Sequence, residues 1–234
     1  MCGRARMASD YQELKIQLNL SELAPAPNFR ASWNLAPTQD MVAVVRDPET
    51  GGRAARILKW GLIPSWAKEP KMLGATFNAR AETVEEMPTF RGAWRAGRRC
   101  LIIVDGFYEW RKTDKAPFTI ERADGRLMAM AGLWETWRGP VGSGEAVVSC
   151  TVLTTAANEA MNAVHDRMPV ILGPENWPLW LGEEPANANA VAALLGPCPS
   201  ADLTLWPVSK AVGSVRNDGP ELAARAPTQL TAFL

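Results

Sequence analysis

Short runs of apolar residues dominate the chain and predict a protein built mainly from β-strands. The clearest signal is a hairpin: a strand at 41–46, a turn at 48–52, and a second strand through Ile57 and Trp60. Further strands are predicted at 100–105, 117–122, 127–133, 146–154, 169–172 and 203–208. Turn-forming residues such as Asp124-Gly125 separate these runs.

Helical periodicity is confined to short segments. Tyr11, Leu14 and Leu18 recur at helical spacing behind Ser9-Asp10, which can cap a helix. Further helices are predicted at 156–164 with Thr155 as cap, at 174–181 with a proline in the first turn, and at 187–195. No repeat or linker divides the chain. We therefore predict one α+β domain over residues 1–234, with a mostly antiparallel, barrel-like or two-sheet core and short flanking helices.

Composition agrees with this expectation. The 234 residues are 47% hydrophobic and 21% charged, which is ordinary for a soluble globular protein. No apolar run approaches the ~20 residues that span a bilayer, and the N-terminus lacks the pattern of a secretory signal. We expect a cytoplasmic protein with no membrane partner.

Cysteine and histidine usage argues against metal chemistry. The four cysteines are far apart and form no CxxC pair, so reduced core residues are expected. His165 is the only histidine, which argues against the usual multi-histidine sites. No metal or other cofactor is predicted.

Charge is balanced overall but unevenly distributed. Basic and acidic residues both number 25, so net charge does not indicate a polyanionic partner. Four arginines nevertheless cluster before a predicted strand: Arg91, Arg95, Arg98 and Arg99. Such a cluster can bind a phosphate backbone, and a solvated surface of mixed charge is the favoured interpretation.

The candidate chemistry begins at Cys2, which follows the initiator methionine. Removal of Met1 would leave Cys2 with an α-amine and a β-thiol on adjacent carbons. An aldehyde can condense with the amine and then be captured by sulfur in a five-membered thiazolidine. An α-amine titrates near ~7.7 to 8 and a thiol near ~8.5, so both have reactive forms at neutral pH. A frayed terminus without function is the alternative.

Aromatic, amide and charged residues concentrate between the predicted strands, in segments that we interpret as loops. They lie at 33–39, 60–66, 77–83, 105–110 and 165–169. Loops held by a rigid sheet often carry functional groups. Most of the ten tryptophans are expected in the core, and those near arginines could stack on nucleobases.

These segments resemble the SRAP family, named after the SOS response and a suspected peptidase activity. The matching motifs span nearly the whole chain: Met1-Cys2-Gly3-Arg4, Asn34-Leu-Ala-Pro37, Trp60-Gly61, Asn78-Ala-Arg80 with Glu82-Thr83, Gly106-Phe-Tyr-Glu-Trp110, Ala131-Gly132, Thr154, His165-Asp-Arg167 with Pro169, and Asn217-Asp-Gly-Pro-Glu-Leu222. The resemblance implies a sensor of abasic sites in single-stranded DNA that links to them covalently through Cys2. It also implies two facing sheets cut by a DNA-binding groove.

The resemblance assigns four residues to the chemistry. Cys2 supplies the amine and the thiol, and His165 serves as the general acid and base. Glu109 accepts a hydrogen bond from the Cys2 ammonium and relays its proton, because an ionised carboxylate only accepts hydrogen bonds. Asn78 holds the amine or the sugar oxygen.

A second set is expected to bind DNA. Arg4, Arg80 and Arg167 suit bidentate phosphate contacts. Weaker candidates, for packing on bases or sugar, are Trp66, Trp110, Pro37 and Thr154. A recessed N-terminus cannot reach a backbone aldehyde within an undistorted duplex, so the expected partner is single-stranded DNA that contains abasic sites. The protein is expected to act as a monomer.

Two other functions remain open at this point. Cys2, His165 and Asn78 would also suit an N-terminal nucleophile hydrolase, in the form of a cysteine peptidase or amidohydrolase. A non-catalytic module that binds single strands through arginines and tryptophans would not need Cys2.

Overall fold

Two β-sheets pack together in the structure, a computed structural model that describes residues 2–70, 75–140 and 143–227. The strands, in chain order, are β1 (Arg4–Met7), β2 (Ser32–Leu35), β3 (Asp40–Arg46), β4 (Arg53–Trp60), β5 (Asn78–Arg80), β6 (Arg99–Val104), β7 (Gly106–Trp110), β8 (Pro117–Arg122), β9 (Met128–Arg138), β10 (Ala146–Ala156), β11 (Arg167–Pro169) and β12 (Leu203–Pro207). The α-helices are α1 (Tyr11–Leu18), α2 (Arg91–Arg95), α3 (Glu159–Asn162), α4 (Trp177–Leu181) and α5 (Ala188–Ala192). This is the α+β architecture that the sequence predicts.

One sheet is open and the other is barrel-like. The open sheet has five antiparallel strands in the order β12-β8-β7-β1-β2. The other has the order β11-β10-β4-β3-β6-β9, and β5 also pairs with β10. A further pairing of β9 with β10 closes β10, β4, β3, β6 and β9 into a barrel. The strands of this sheet are antiparallel except where β10 runs parallel to β4 and β5.

A single apolar core joins the two sheets. Met7 and Phe107 of the open sheet belong to the same buried cluster as Val44 and Ile102 of the barrel. Strand β6 is buried along Cys100–Val104, which explains its continuous apolar run. The core therefore holds the inner strands β1 and β7 of the open sheet against the barrel.

The strongest local signals of the sequence are confirmed. Strands β3 and β4 form the predicted hairpin, and the side chain of Asp47 accepts hydrogen bonds from the Glu49 and Thr50 amides within its turn. Helix α1 begins behind Asp10, whose carboxylate accepts from the Glu13 amide at 2.9 Å. Leu14 and Leu18 are buried. Hydrophobic spacing and a capping residue together suffice to predict this helix.

Several expectations about boundaries are wrong. Thr155 does not cap a helix, because β10 continues to Ala156 and Thr155 pairs with Met168 of β11. Helix α3 begins later, behind Asn158, whose side chain accepts from the Met161 amide at 2.9 Å. The other two predicted helices are also shorter than expected, at Trp177–Leu181 after a 3-10 turn and at Ala188–Ala192. The strand predicted at 169–172 lies instead at Arg167–Pro169.

Segments interpreted as loops turn out to be largely strands. The polar motifs at 33–39, 77–83, 105–110 and 165–169 overlap β2, β5, β7 and β11. These strands are three to five residues long and are stabilised by pairing, with a distant partner for β2, β5 and β7 and with neighbouring strands for β11 and one side of β7. The site residues on them are consequently held by sheet hydrogen bonds.

The cysteines are free, as expected, and three of them lie in the core. All four cysteines are free, with Cys2, Cys100 and Cys150 buried and Cys198 half-buried. Within the described ranges no helix is long and apolar enough to cross a bilayer.

Packing against Gly132 gives a prediction about stability. A Cβ at Gly132 would lie 2.8 Å from Ile102 Cδ1 and 3.0 Å from Cys100 Sγ, inside the core. Gly132→Ala should therefore reduce the free energy of unfolding by roughly 1–3 kcal/mol, as measured by urea denaturation. Gly92→Ala is the control, because a Cβ at Gly92 in α2 meets open space and should leave stability unchanged or slightly higher. Equal effects of the two substitutions would contradict tight packing at Gly132.

Candidate active site

Cys2 lies at the junction of the two sheets. It is separated from β1 by Gly3 alone and is 1% exposed. Strand β1 pairs antiparallel with β7, with Arg4 opposite Tyr108 and Ala5 opposite Phe107. This register brings the end of β7, which carries Glu109, beside the start of the chain.

Asn78 connects the barrel to Cys2. It lies on β5, which runs parallel to β10 with Asn78 opposite Val152. Its side-chain Nδ2 donates a hydrogen bond of 2.8 Å to the carbonyl oxygen of Cys2. The Oδ1 atom of Asn78 is buried and accepts no hydrogen bond within the described part of the chain. Asn78 thus fixes the backbone of Cys2 and retains an acceptor at the site.

Glu109 is a buried carboxylate close to the thiol. Its side chain is on β7, the residue is 5% exposed, and Oε1 accepts a hydrogen bond of 3.0 Å from the Trp110 amide. Burial, and then the negative charge of Glu109, raise the pKa of the Cys2 thiol far above its ordinary value. The thiol is therefore protonated at neutral pH.

His165 faces the same carboxylate from the loop after α3. The Lys112 amide donates to the Val164 carbonyl at 3.0 Å, which ties this loop to the chain just beyond β7. The His165 side chain is 15% exposed. Burial lowers the pKa of His165 and the charge of Glu109 opposes that shift. The lower pKa keeps the imidazole mainly neutral at pH 7.

The structure thus brings the four predicted catalytic residues together, although their chemical roles stay predictions. Glu109 acts electrostatically on both Cys2 and His165, and Asn78 holds the Cys2 backbone. Met1, whose removal the chemistry requires, lies outside the described residues. Within those residues no group of three or more His, Cys, Asp or Glu side chains could hold a metal ion.

Two of the three predicted phosphate-binding arginines lie side by side. Arg80 is exposed at the end of β5, opposite Thr154 of β10. Arg167 donates to both carboxylate oxygens of Glu82, at 2.5 and 2.9 Å, and to the Thr154 carbonyl at 2.6 Å. Arg167 first, and Arg80 to a smaller extent, lower the pKa of Glu82. A phosphate that binds Arg167 through the same donors would have to displace Glu82.

Arg4 has structural partners instead of an open face. Its guanidinium donates to Asn34 Oδ1 at 2.8 Å and to the carbonyls of Val212 and Gly213 at 2.7 and 3.0 Å. Asn34 Nδ2 in turn donates to the carbonyls of Ser214 and Asn217, both at 2.9 Å. We call residues 209–219 the C-terminal strap, since these bonds hold them across the start of the chain. Arg4 therefore stabilises the start of the chain beside the site. Its predicted phosphate contact would compete with these bonds.

The weaker DNA-contact candidates differ in exposure. Trp66 is 60% exposed and donates through Nε1 to the Pro88 carbonyl at 3.3 Å. Pro37 is half-buried. Trp110 packs against a small cluster around Tyr108, and Thr154 is fully buried with its hydroxyl donating to the Ala79 carbonyl at 3.3 Å. Trp66 and Pro37 are thus better placed than Thr154 to contact a ligand.

Part of the basic cluster that the sequence highlights is used within the protein. Arg98 pairs with Glu135 at 2.6 Å. Arg99 donates to the Trp180 carbonyl at 2.5 Å and lies over the indole of the same residue. Arg91 and Arg95 are exposed on α2. The structure thus gives Arg98 and Arg99 packing roles.

Sequence reasoning missed several neighbours of the site. Asp166 and Lys112 form an ion pair of 2.5 Å beside His165, and Glu82 and Asn34 hold Arg167 and Arg4. The sequence offered one signal for three of these residues, because recognised motifs contain Asp166, Glu82 and Asn34. Lys112 had no such signal apart from its position two residues after Trp110.

Comparison with known proteins identifies the family. The model of the SOS response associated peptidase (SRAP) family matches residues 1–215. The chain belongs to the SRAP family. Its SRAP relatives include the abasic site processing protein YoqW of Bacillus subtilis, 39% identical over 225 residues that cover 95% of this chain and 98% of YoqW. The abasic site processing protein YedK of Escherichia coli is 32% identical over 229 residues, covering 95% and 98% of the two chains.

A vertebrate relative and two crystal structures extend the comparison. The abasic site processing protein HMCES of Xenopus tropicalis is 34% identical over 227 residues, which cover 84% of this SRAP chain and 66% of HMCES. A protein from Bacteroides thetaiotaomicron superposes with a TM-score of 0.84 at 22% identity, covering 97% of this chain and all of the other. A Bordetella bronchiseptica protein gives 0.74 at 27% identity, covering 89% of this chain and all of the other. These structures share the SRAP fold.

The strap contacts give a prediction that separates support from DNA binding. Arg4→Ala should lower the free energy of unfolding by roughly 1–3 kcal/mol, because the buried residues Asn34 and Val212 lose a charged donor. It should also speed amide hydrogen exchange within the C-terminal strap, as followed by mass spectrometry. Arg80→Ala is the matched control: the Arg80 side chain is exposed, so exchange in the strap should stay as in the wild type. Unchanged strap exchange in Arg4→Ala would show that Arg4 does not hold this segment.

Proposed function

We propose that this protein processes abasic sites in single-stranded DNA by forming a covalent thiazolidine with the sugar through Cys2. The observation that carries the proposal is the clustering of Cys2 with two proton-transfer groups, Glu109 and His165, while Asn78 holds the Cys2 carbonyl. The names of the curated relatives, abasic site processing proteins, support the substrate class. The linkage would shield the lesion while the strand stays intact.

The protonation state of the thiol supports a reaction in which the amine attacks first. Cysteine nucleophiles of hydrolases act as thiolates, and their sites lower the thiol pKa. Here burial and Glu109 raise the pKa of the Cys2 thiol. A site that disfavours the thiolate is unsuited to a reaction in which sulfur attacks first. This argues against the hydrolase alternative. The site suits an amine nucleophile followed by a thiol that loses its proton only at ring closure.

The steps balance without a cofactor. After Met1 is removed, the α-amine of Cys2 attacks C1′ of the ring-opened sugar and gives a carbinolamine. Loss of water gives a Schiff base. The thiol sulfur then bonds to C1′ while its proton passes to the nitrogen, which closes a ring of sulfur, C1′, nitrogen, Cα and Cβ.

The neighbouring groups supply the proton transfers. Glu109 accepts a proton from the Cys2 ammonium and later from the thiol, and the low pKa of neighbouring His165 leaves a neutral imidazole as a base near pH 7. Protonated in turn, His165 assists the departure of water. Asn78 Oδ1, which has no donor within the described residues, is the acceptor that orients the amine or the sugar hydroxyl.

Strand binding falls to the surface around Arg80. Arg80 is exposed, Arg167 lies beside it through their shared neighbour Glu82, and Trp66 offers an open indole. Arginines neutralise phosphates regardless of sequence, so little sequence preference is expected. A strand without base pairing avoids the unstacking that a duplex would require.

Replacement of Cys2 gives the direct test of the linkage. Wild-type protein, shown by intact mass to lack Met1, should shift a single-stranded oligonucleotide with one abasic site on a denaturing gel after heating. Cys2→Ala should form no heat-stable adduct and should still be trapped by borohydride, because its α-amine can form the Schiff base.

The experiment has two controls. Cys198→Ala removes a half-buried thiol elsewhere in the chain and should leave the adduct unchanged. An oligonucleotide without the abasic site should give none. A full yield of heat-stable adduct from Cys2→Ala would rule out the thiazolidine.

The proton-transfer roles predict a separation of rate from binding. Glu109→Gln and His165→Gln should each slow adduct formation by on the order of 10² to 10⁴, the usual loss for a general acid or base. Affinity for the same oligonucleotide, measured by fluorescence anisotropy, should change little, because neither group is expected to bind phosphate. If rate and affinity fell together in either variant, that residue would be a DNA-positioning group.

A further inference from the structure

Asp166 and Lys112 form a charged pair against the outer side of His165. One oxygen of the Asp166 carboxylate lies 2.5 Å from Lys112 Nζ and the other lies 3.0 Å from His165 Nδ1. A single carboxylate therefore bridges the ammonium and the imidazole. The side chains of Lys112 and Asp166 are 51% and 60% exposed, while that of His165 is 15% exposed.

The hydrogen bonding of Nδ1 sets the form of the neutral ring. The Arg167 amide donates a hydrogen bond of 3.0 Å to His165 Nδ1. A nitrogen that accepts such a bond carries no proton, so the neutral imidazole carries its proton on Nε2. When the ring takes a second proton, that proton enters at Nδ1. Nδ1 is then a donor and can no longer accept from the Arg167 amide. The Asp166 carboxylate, 3.0 Å away, is the acceptor within reach of this N–H.

We propose that Asp166 and Lys112 are positioning residues for His165: Asp166 accepts a hydrogen bond from Nδ1–H of the imidazolium, and Lys112 limits how strongly Asp166 favours that charged form. The pair acts on the proton transfers of the proposed function and so rests on it. Asp166 is brought to the ring by sequence adjacency, and Lys112 by the turn that follows β7.

Lys112 is held at this position by the backbone as well as by its charge. Its amide bond to the Val164 carbonyl joins the turn after β7 to the His165 loop. The ion pair with Lys112 is also the largest influence that lowers the pKa of Asp166, so Asp166 is ionised at neutral pH. The carboxylate is thus a fixed negative charge that the ammonium partly cancels.

The charges around His165 come from more than its own loop. Glu109 faces it from β7, Lys112 from the turn beyond, Asp166 from the loop itself, and removal of Met1 would add the amine of Cys2. Burial lowers the pKa of His165, Glu109 and Asp166 raise it, and Lys112 lowers it. Removing the charge of Asp166 should therefore lower this pKa further, and removing that of Lys112 should raise it.

The test exploits the single histidine of the chain, which makes its NMR resonances unambiguous. Imidazole carbon and nitrogen shifts are recorded against pH for the full chain lacking Met1 and for Asp166→Asn, Lys112→Gln and the double variant. We expect the titration midpoint to move down in Asp166→Asn and up in Lys112→Gln. In the Asp166→Asn background, Lys112→Gln should move the midpoint by less than it does in the wild-type background. Nitrogen shifts of the neutral wild-type ring should place the proton on Nε2.

Asp114→Asn is the matched control, because Asp114 is an exposed carboxylate near Lys112 that pairs with Arg111 instead. It should leave the midpoint unchanged. An unmoved midpoint in Asp166→Asn, a Lys112→Gln shift of equal size in both backgrounds, or a neutral ring protonated at Nδ1 would each overturn the proposal. Since both side chains are largely exposed, the variants should fold, which unchanged thermal melting would verify.

Adduct formation supplies the functional readout. The inflection that His165 contributes to the pH profile of the adduct rate should move in the same direction as the NMR midpoint in each variant. If the NMR midpoint moved and the inflection of the adduct-rate profile did not, Asp166 and Lys112 would not act on the reaction. A wild-type protein that forms no adduct would instead refute the proposed function, and the NMR titration would still decide whether Asp166 and Lys112 control His165.

Discussion

The hydrogen bonding of β10 is the constraint on which both the barrel and the site depend. This strand has 11 residues and pairs with β9 along its first part, with β4 near Cys150, and with β5 and β11 towards its end. The pairing with β9 closes the barrel, while the pairings with β5 and β11 place Asn78 and Arg167. A shift of register in β10 would reverse the faces of its side chains and displace both groups.

The site also depends on burial where the open sheet meets the barrel. Buried polar side chains are normally satisfied by hydrogen bonds, and exceptions often mark function. Asn78 Oδ1 is such an exception within the described chain. The Glu109 carboxylate is nearly as deeply buried as the thiol beside it. Because screening by water is weak there, one negative charge affects both the thiol and the imidazole. Burial thus strengthens the preference of the thiol for its protonated form and of the imidazole for its neutral form.

The comparison of sequence with structure separates local from long-range information. Helix α1 and the β3–β4 hairpin were predictable, since their caps, turns and spacing lie within one short segment. Strands β5 and β7 were mistaken for loops: β5 depends on the distant β10, and β7 pairs with the distant β1 as well as with the following β8. The structure brings the motif residues Cys2, Asn78, Glu109 and His165 together, and their catalytic roles stay predictions. The partners of Arg4 were not foreseeable, since its acceptors Val212 and Gly213 lie more than 200 residues away along the chain.

The C-terminal strap has a consequence for the order in which the protein matures. Arg4 and Asn34 receive their partners from residues 212–217, which leave the ribosome after the rest of the site has been synthesised. The Arg4 side chain therefore cannot complete its hydrogen bonds until these late residues have been synthesised. Docking of the strap onto Arg4 and Asn34 is therefore a late step of folding, and it can follow the backbone pairing of β1 with β2 and β7.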